Sequence, residues 1–143
     1  MKVLAVSISE RKGIKKHPVE YIELIEDYGI DGDAHAGKWH RQVSLLGVES
    51  MEAMKEKLPE LSAGDFAENI LTEGIVLYKL PIGTVLKVGD CILEVTQIGK
   101  ECHLGCEIRH IVGDCVMPRE GIFTKVIKGG KIKADDKIEI VEK

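Results

Sequence analysis

No stretch of this 143-residue sequence approaches the roughly twenty consecutive apolar residues of a bilayer-crossing helix. No membrane span is therefore expected. Positive charge is not in excess either: 20 Lys and Arg against 24 Asp and Glu leave a formal net charge of −4, which argues against wholesale nucleic-acid binding. An export signal is missing, because the apolar run in MKVLAVSISERKG is broken by Ser7 and Ser9 and no credible cleavage site follows. The segment reads instead as a first strand. Cysteine is sparse, at four residues, and a chain of this length buries roughly two-thirds of its unfolded surface without disulfides. In the cytosol expected for such a chain, clustered thiols serve as metal ligands or nucleophiles more often than as bridges. No linker, low-complexity tract or second domain is visible, so residues 1–143 read as one domain.

The polar and apolar positions favour strands. In residues 3–8, alternation predicts Leu4, Val6 and Ile8 on one side of a strand, and residues 19–25 are rich in Val, Ile and Tyr with acidic residues between them. YGIDGDAHAGKWH, residues 28–40, is dense in Gly and Asp and reads as a long loop. Long loops in compact domains tend to carry function. RQVSLLG then returns to strand character. Residues 48–58 form the clearest helix, with Met51, Met54 and Leu58 on one face read as core, lysines toward its end and Pro59 as a stop. From residue 82, IGTVLKVGDCILEVTQIG reads as two strands joined at Val88-Gly89-Asp90, and GGKIKADDKIEIVE repeats the idea around Ala134-Asp135-Asp136. Many short strands, few helices and frequent Gly turns favour a mostly β fold, a barrel or partly closed barrel with one or two short helices.

Three of the cysteines fall within GKECHLGCEIRHIVGDC, residues 99–115, together with His103 and His110. Cys102 and Cys106 would share a face of a helix, and in a loop they could still meet around a metal. With Cys115 and a histidine they supply enough ligands for tetrahedral zinc. The second tight ligand pair usual in zinc sites is absent, however, as is the Cys-x-x-Cys spacing of thiol oxidoreductases. A single reactive thiol has more support, because Cys102 follows Lys100 and precedes His103, and nearby positive charge favours the thiolate that attacks electrophiles or binds soft metals. A buried loop cysteine is the plain alternative. Cys91 alternates with Leu93 and Val95 and reads as a buried structural cysteine outside any site.

The loop stretch GDAHAGKWHRQ contributes Asp33, His35, Lys38, His40 and Arg41, a mixture suited to an anionic, polar ligand. His35, between alanines and next to glycines, is expected to be accessible. Asp33 and His35 also suit a purely local task, holding the loop by hydrogen bonds to backbone groups. In MPREGIF, Arg119 could grip a phosphate with its forked donors or pair with Glu120 within one turn.

Taken in order, IDGDAHAGKWHRQVSLL, FAENILTEGI, LPIGTVLKVGDCILEVTQIGKECH and MPREGIFTKVIKGGKIK resemble the MOSC domain, the module named for the C-terminal part of molybdenum-cofactor sulfurase. The resemblance covers most of the chain and rests on the order and spacing of these pieces. It implies a β-barrel-like fold of the pyruvate-kinase β-barrel kind, a small free-standing bacterial-type member, and association with molybdenum cofactor, a pterin (molybdopterin) bearing a dithiolene and a phosphate. The family's characteristic cysteine corresponds to Cys102, implicated as a molybdenum ligand or a handler of sulfur. Cys106 and Cys115 belong to the pattern of small bacterial members and are lesser metal candidates. The cofactor-binding set implied around the thiol is Asp33, His35, Lys38, Arg41, Asn69, Lys100, His103 and Arg119. One departure lies at KADDKIEI, where relatives commonly place Gly-Asp and this chain has Asp135-Asp136. Asp tolerates a left-handed turn better than most residues, so the turn is expected to survive.

The leading expectation is thus a molybdenum-cofactor-binding protein of cofactor sulfuration, biosynthesis or delivery, with the Cys102 thiolate on molybdenum or carrying sulfur. A small molybdoenzyme reducing N-hydroxylated substrates is one alternative, and a non-catalytic zinc module is another. Implied partners are the cofactor together with a cysteine desulfurase, an electron donor or an apo-molybdoenzyme. Neither nucleic acid nor membrane is expected as a partner. With no pyridoxal-phosphate domain in the sequence, extraction of sulfur from cysteine by this chain alone is not expected.

Overall fold

Alternation in the sequence becomes alternation in space at Tyr21–Ile25, where Ile22 and Leu24 turn into the core and Tyr21, Glu23 and Ile25 face outward. The structure, a computed structural model, describes residues 1–11, 15–54, 63–64, 66–99 and 120–142. Expectations that rest on Lys100, Cys102, His103, Cys106, His110, Cys115 and Arg119, or on the helix beyond Met54, lie outside the described residues.

The described elements are β1 (Lys2–Ile8), β2 (His17–Val19), β3 (Tyr21–Ile25), β4 (Gly29–Ile30), β5 (Val43–Gly47), α1 (Val48–Met54), β6 (Ile70–Glu73), a 3-10 turn (Leu77–Lys79), β7 (Val85–Val88), β8 (Cys91–Ile98), β9 (Ile122–Lys128), β10 (Gly130–Lys133) and β11 (Ile138–Glu142). An eight-stranded sheet runs β11-β7-β8-β9-β5-β6-β1-β2, and a three-stranded sheet runs β10-β3-β4. The expected mostly β class holds. Closure does not: the sheets are not closed into a barrel, because β2 and β11 end opposite edges of the larger sheet. The start of β1 meets the turn before β11 only locally, with Val3 N donating to Asp136 O at 2.9 Å and Asp135 N to Val3 O at 2.7 Å.

Two sequence expectations change with this topology. The last two strands do not form a hairpin, because β10 pairs with β3 in the small sheet while β11 pairs with β7 in the large one. Their turn survives as expected, with Asp135 in the left-handed region at φ 76°. In β1 a bulge between Val3 and Ala5 breaks the alternation. Val3 and Val6 therefore join the main core, while Leu4 and Ala5 pack against a second core of Leu46, Met51, Phe66, Ala67, Leu71 and Phe123. Every residue of β5 is buried, since this central strand has a core on each face.

The β7–β8 hairpin follows the sequence closely: Val88 pairs with Cys91 across Gly89-Asp90, and Gly89 takes φ 56°. Cys91, Leu93 and Val95 are all buried in the main core. Burial, reinforced by Asp90 and Asp136 against the opposing Lys128, pushes the Cys91 thiol from an ordinary value of 9.0 up to about 11. Asn69 ties three strands together. Its Oδ1 accepts from Ser44 N at 3.0 Å and Ser44 Oγ at 3.1 Å, and its Nδ2 donates to Ser7 O at 3.0 Å.

Asn69→Ala is expected to lower stability by about 3 kcal/mol, since it strands buried groups of Ser7 and Ser44 without partners; urea denaturation measures this. Cys91→Ala is expected to cost about 1 kcal/mol at neutral pH through lost burial. Because the folded-state pKa is raised, the unfolded chain releases its proton first as pH rises. Stability from the neutral thiol is thus present below about 9 and lost between about 9 and about 11. The advantage of the wild type over Cys91→Ala should shrink across that window in matched denaturation curves.

Candidate functional site

A buried charge pair organises the loop between β4 and β5. Lys16 Nζ lies 2.8 Å from Asp33 Oδ1, and neither side chain has exposed surface. Asp33 does more than pair: Oδ1 also accepts from Ser9 N at 3.1 Å, and Oδ2 accepts from His35 N at 3.0 Å. The ammonium is likewise well surrounded, with Ser9 Oγ at 3.0 Å and His35 Nδ1 at 3.1 Å. Such bonds are what make a buried ion pair tolerable, because desolvation of two charges otherwise offsets their attraction.

Glycine makes room for this lysine. Lys16 N donates to Gly64 O at 2.8 Å, and a Cβ on Gly64 would stand 2.1 Å from Lys16 O. Gly64 also has φ +89°, a conformation that side chains disfavour. The neighbouring Glu68 holds the turn by accepting from Gly64 N at 2.7 Å and Phe66 N at 3.2 Å.

The far end of the loop is fastened to a different strand. His40 Nε2 and Arg41 Nε lie 2.8 Å and 3.0 Å from Gln97 Oε1 near the end of β8. An amide oxygen only accepts, so both nitrogens donate. Gln97 Nε2 in turn donates to Gly99 O at 2.7 Å, and Gly99 N donates to Gly121 O at 2.7 Å. Thr96 Oγ1 adds a contact to His40 O.

Between these anchors sits an aromatic and cationic stack. Trp39 Nε1 donates to His35 O at 2.7 Å, and the two rings lie nearly parallel, 7° apart with centroids 6.2 Å distant. The Arg41 guanidinium is 5.9 Å from the Trp39 centroid and 5.4 Å from that of Phe123, within cation–π reach of both. Among the described residues its Nε donates to Gln97 Oε1. Lys38, in the same loop, is exposed.

Of the residues singled out from sequence, Asp33, His35, Lys38, His40 and Arg41 share this loop, with Asp33 buried and His35 half-buried. The local task read for Asp33 is present, since it bonds the backbone N–H groups of Ser9 and His35. Asn69 is engaged in strand cross-links. Glu120, the sequence partner considered for Arg119, accepts from Ser50 Oγ at 2.8 Å. That pair lines a cavity of about 340 Å³ with residues 74–78. Among the described residues no group of three or more His, Cys, Asp or Glu gathers as a metal site.

Sequence reasoning missed Ser9, Lys16, Trp39, Phe123 and Gln97. Lys16 sits in ERKGIKKH, where nothing in composition separates a buried lysine from its exposed-looking neighbours. Trp39 carried a usable signal, as the chain's single tryptophan in an otherwise polar loop.

A family model described as the MOSC domain matches residues 32–139. Among curated proteins none matches the chain. Among solved structures, the YuaD protein from Bacillus subtilis superposes with a TM-score of 0.78 at 19% identity, covering 96% of this chain and 93% of that one. YiiM from Geobacillus stearothermophilus gives 0.76 at 18% identity over 99% of this chain and 75% of its own. YiiM from Escherichia coli gives 0.71 at 20% identity over 100% and 71%. At such identities the likeness is one of fold. The family match, by contrast, runs from Gly32 at the head of the anchored loop through Gln97 to Glu139 in the last strand, and by it the chain belongs to the MOSC domain family.

Proposed function

We propose that this chain binds molybdenum cofactor and serves its sulfuration, biosynthesis or delivery, with the Cys102 thiolate ligating molybdenum or carrying sulfur. One observation carries the reading: His40 and Arg41 bond to Gln97 at the end of β8, the strand that leads into Gly99 and the cysteine segment. Cys102 follows Gly99 by three residues, and three residues of chain span at most about 11 Å. The anchoring of the basic loop on the strand that runs on toward the family cysteine supports reading the two together.

The donor set suits the cofactor's parts. Arg41, held against Trp39 and Phe123, has a forked set of donors matched to a phosphate, and Lys38 adds a second positive charge. The flat faces of His35 and Trp39 match a planar heterocycle such as a pterin. A cysteine thiolate is a soft ligand, appropriate to a metal already bound by sulfur. When bound, the cofactor supplies a redox-active metal and reactive sulfur. The chain's own contribution is to neutralise the phosphate, hold the ring and present the thiol. Lys100, His103 and Arg119 complete the proposed set on the cysteine side, and the cofactor's other handlers would be a desulfurase, an electron donor or an apo-enzyme.

Protein made in a host competent for cofactor synthesis tests this by molybdenum analysis and oxidised-pterin fluorescence. Cys102→Ser is expected to remain folded and lose bound molybdenum or persulfide, and unchanged metal and pterin content would contradict the role given to this thiol. Arg41→Ala is expected to weaken pterin binding by about 10- to 100-fold, the loss of charge-assisted hydrogen bonds worth about 1.5–3 kcal/mol. Fluorescence titration measures that loss.

A further inference from the structure

We propose that the cavity of about 340 Å³ between α1, the 3-10 turn and the start of β9 binds a small organic ammonium ion, an apolar body ending in a charged amine. Binding there does not rest on the cofactor reading.

The walls of the cavity divide by chemistry. Ile75 and Leu77, both buried, supply apolar surface, and Val76 and Tyr78 add partly exposed surface. Glu49 and Glu120 supply two carboxylates, and among the described lining residues none is Lys, Arg or His. Each carboxylate is held through one oxygen. Glu49 Oε2 accepts from Gly74 N at 3.0 Å, and Glu120 Oε1 accepts from Ser50 Oγ at 2.8 Å. Gly47 leaves room beside the first of these, since a Cβ there would stand 3.2 Å from Glu49 Oε1 and 3.6 Å from Ile75 O.

These features select the ligand. Two negative groups on one partly enclosed, largely apolar cavity favour a cation, because water and salt screen charge less there than in bulk solvent. An ammonium has three hydrogens and no lone pair, so it needs acceptors only. The cavity provides them in the two carboxylates and in Ser50 Oγ, which directs its own hydrogen at Glu120 and therefore meets any further donor as an acceptor. The ring of Tyr78 is a further surface that attracts cations. An anion would meet two like charges, and a wholly apolar ligand would take water from the carboxylates without replacing it. A volume of about 340 Å³ lies at the small end of ligand sites.

The place of the cavity in the fold is set by strand register. Leu45 on β5 and Ile98 on β8 both pair with Ile122 on β9, and β6 runs parallel to β5 toward Gly74. Gly47, Gly74 and Glu120 therefore gather at the sheet end where β8 runs on into Gly99, whose N donates to Gly121 O at 2.7 Å. The ligand is held at the end from which the chain continues toward the cysteine segment.

Isothermal titration of the full chain without cofactor, at neutral pH and with benzylamine as probe, tests the site. One-site binding with a Kd of about 1 mM or tighter is expected, a modest efficiency for about eight non-hydrogen atoms. Benzyl alcohol, nearly the same shape without the charge, is expected to bind at least about 10-fold more weakly. Glu49→Gln and Glu120→Gln each keep an oxygen able to accept from Gly74 N or Ser50 Oγ, so both are expected to fold, with urea midpoints close to that of the wild type. Each is expected to weaken benzylamine by about 10-fold. No saturable binding of benzylamine by the wild type, or equal binding of benzyl alcohol, would overturn the proposal without need of any variant. Unchanged affinity in both folded glutamine variants would overturn the part given to the carboxylates. Molybdenum and pterin content do not enter these readouts, so failure of the cofactor reading and failure of this one remain distinguishable.

Discussion

A lysine and an aspartate with no exposed side-chain surface face each other across 2.8 Å, and the loop that carries the candidate site is built on that contact. Two charges removed from water are costly to hold, and their attraction compensates only where further hydrogen bonds complete both groups. Here they do: the carboxylate receives two backbone N–H groups, and the ammonium reaches a hydroxyl and an imidazole. The pair joins residues on either side of the β1–β2 connection to the start of the loop. Through His35 it also reaches the aromatic stack.

The rest of the scaffold holds the other end. Gln97 near the end of β8 receives His40 and Arg41 with one oxygen, and β8 is paired along its length with β7 and β9 in the large sheet. Phe123 on β9 belongs to the second core and at the same time lies under Arg41. A polar loop is thus held between a buried ion pair and a sheet end, with its cationic groups supported from beneath. The strands that carry Gln97 and Phe123, β8 and β9, are direct neighbours in the large sheet, so the support beneath Arg41 does not require closure into a barrel.

Features set by short-range chemistry were legible in the sequence. Gly89-Asp90 dictates a two-residue turn whatever surrounds it, and the alternation of Cys91, Leu93 and Val95 is a local statement about one strand face. Long-range pairing was not legible. GGKIKADDKIEIVE carries the same local signals as a hairpin, yet β10 and β11 go to separate sheets because each finds its partner far along the chain. The bulge in β1 likewise depends on its pairing with β6, so no alternation rule within residues 3–8 could reveal that Leu4 faces the second core. At the site, Asp33, His35 and Arg41 were visible as chemistry-bearing residues in a Gly-rich loop. Lys16 was not, because hydropathy assigns a lysine in a basic run to solvent, and only tertiary structure supplies the carboxylate that makes its burial possible.

If the ion pair is the foundation of the loop, its two members must depend on each other energetically. A double-mutant cycle in the cofactor-free protein, with Lys16→Met, Asp33→Asn and both together followed by urea denaturation, measures that dependence directly. The account predicts that each single substitution costs about 3–5 kcal/mol by leaving one buried charge uncompensated, and that the double variant costs no more than either single one. Small single costs that simply add would contradict it.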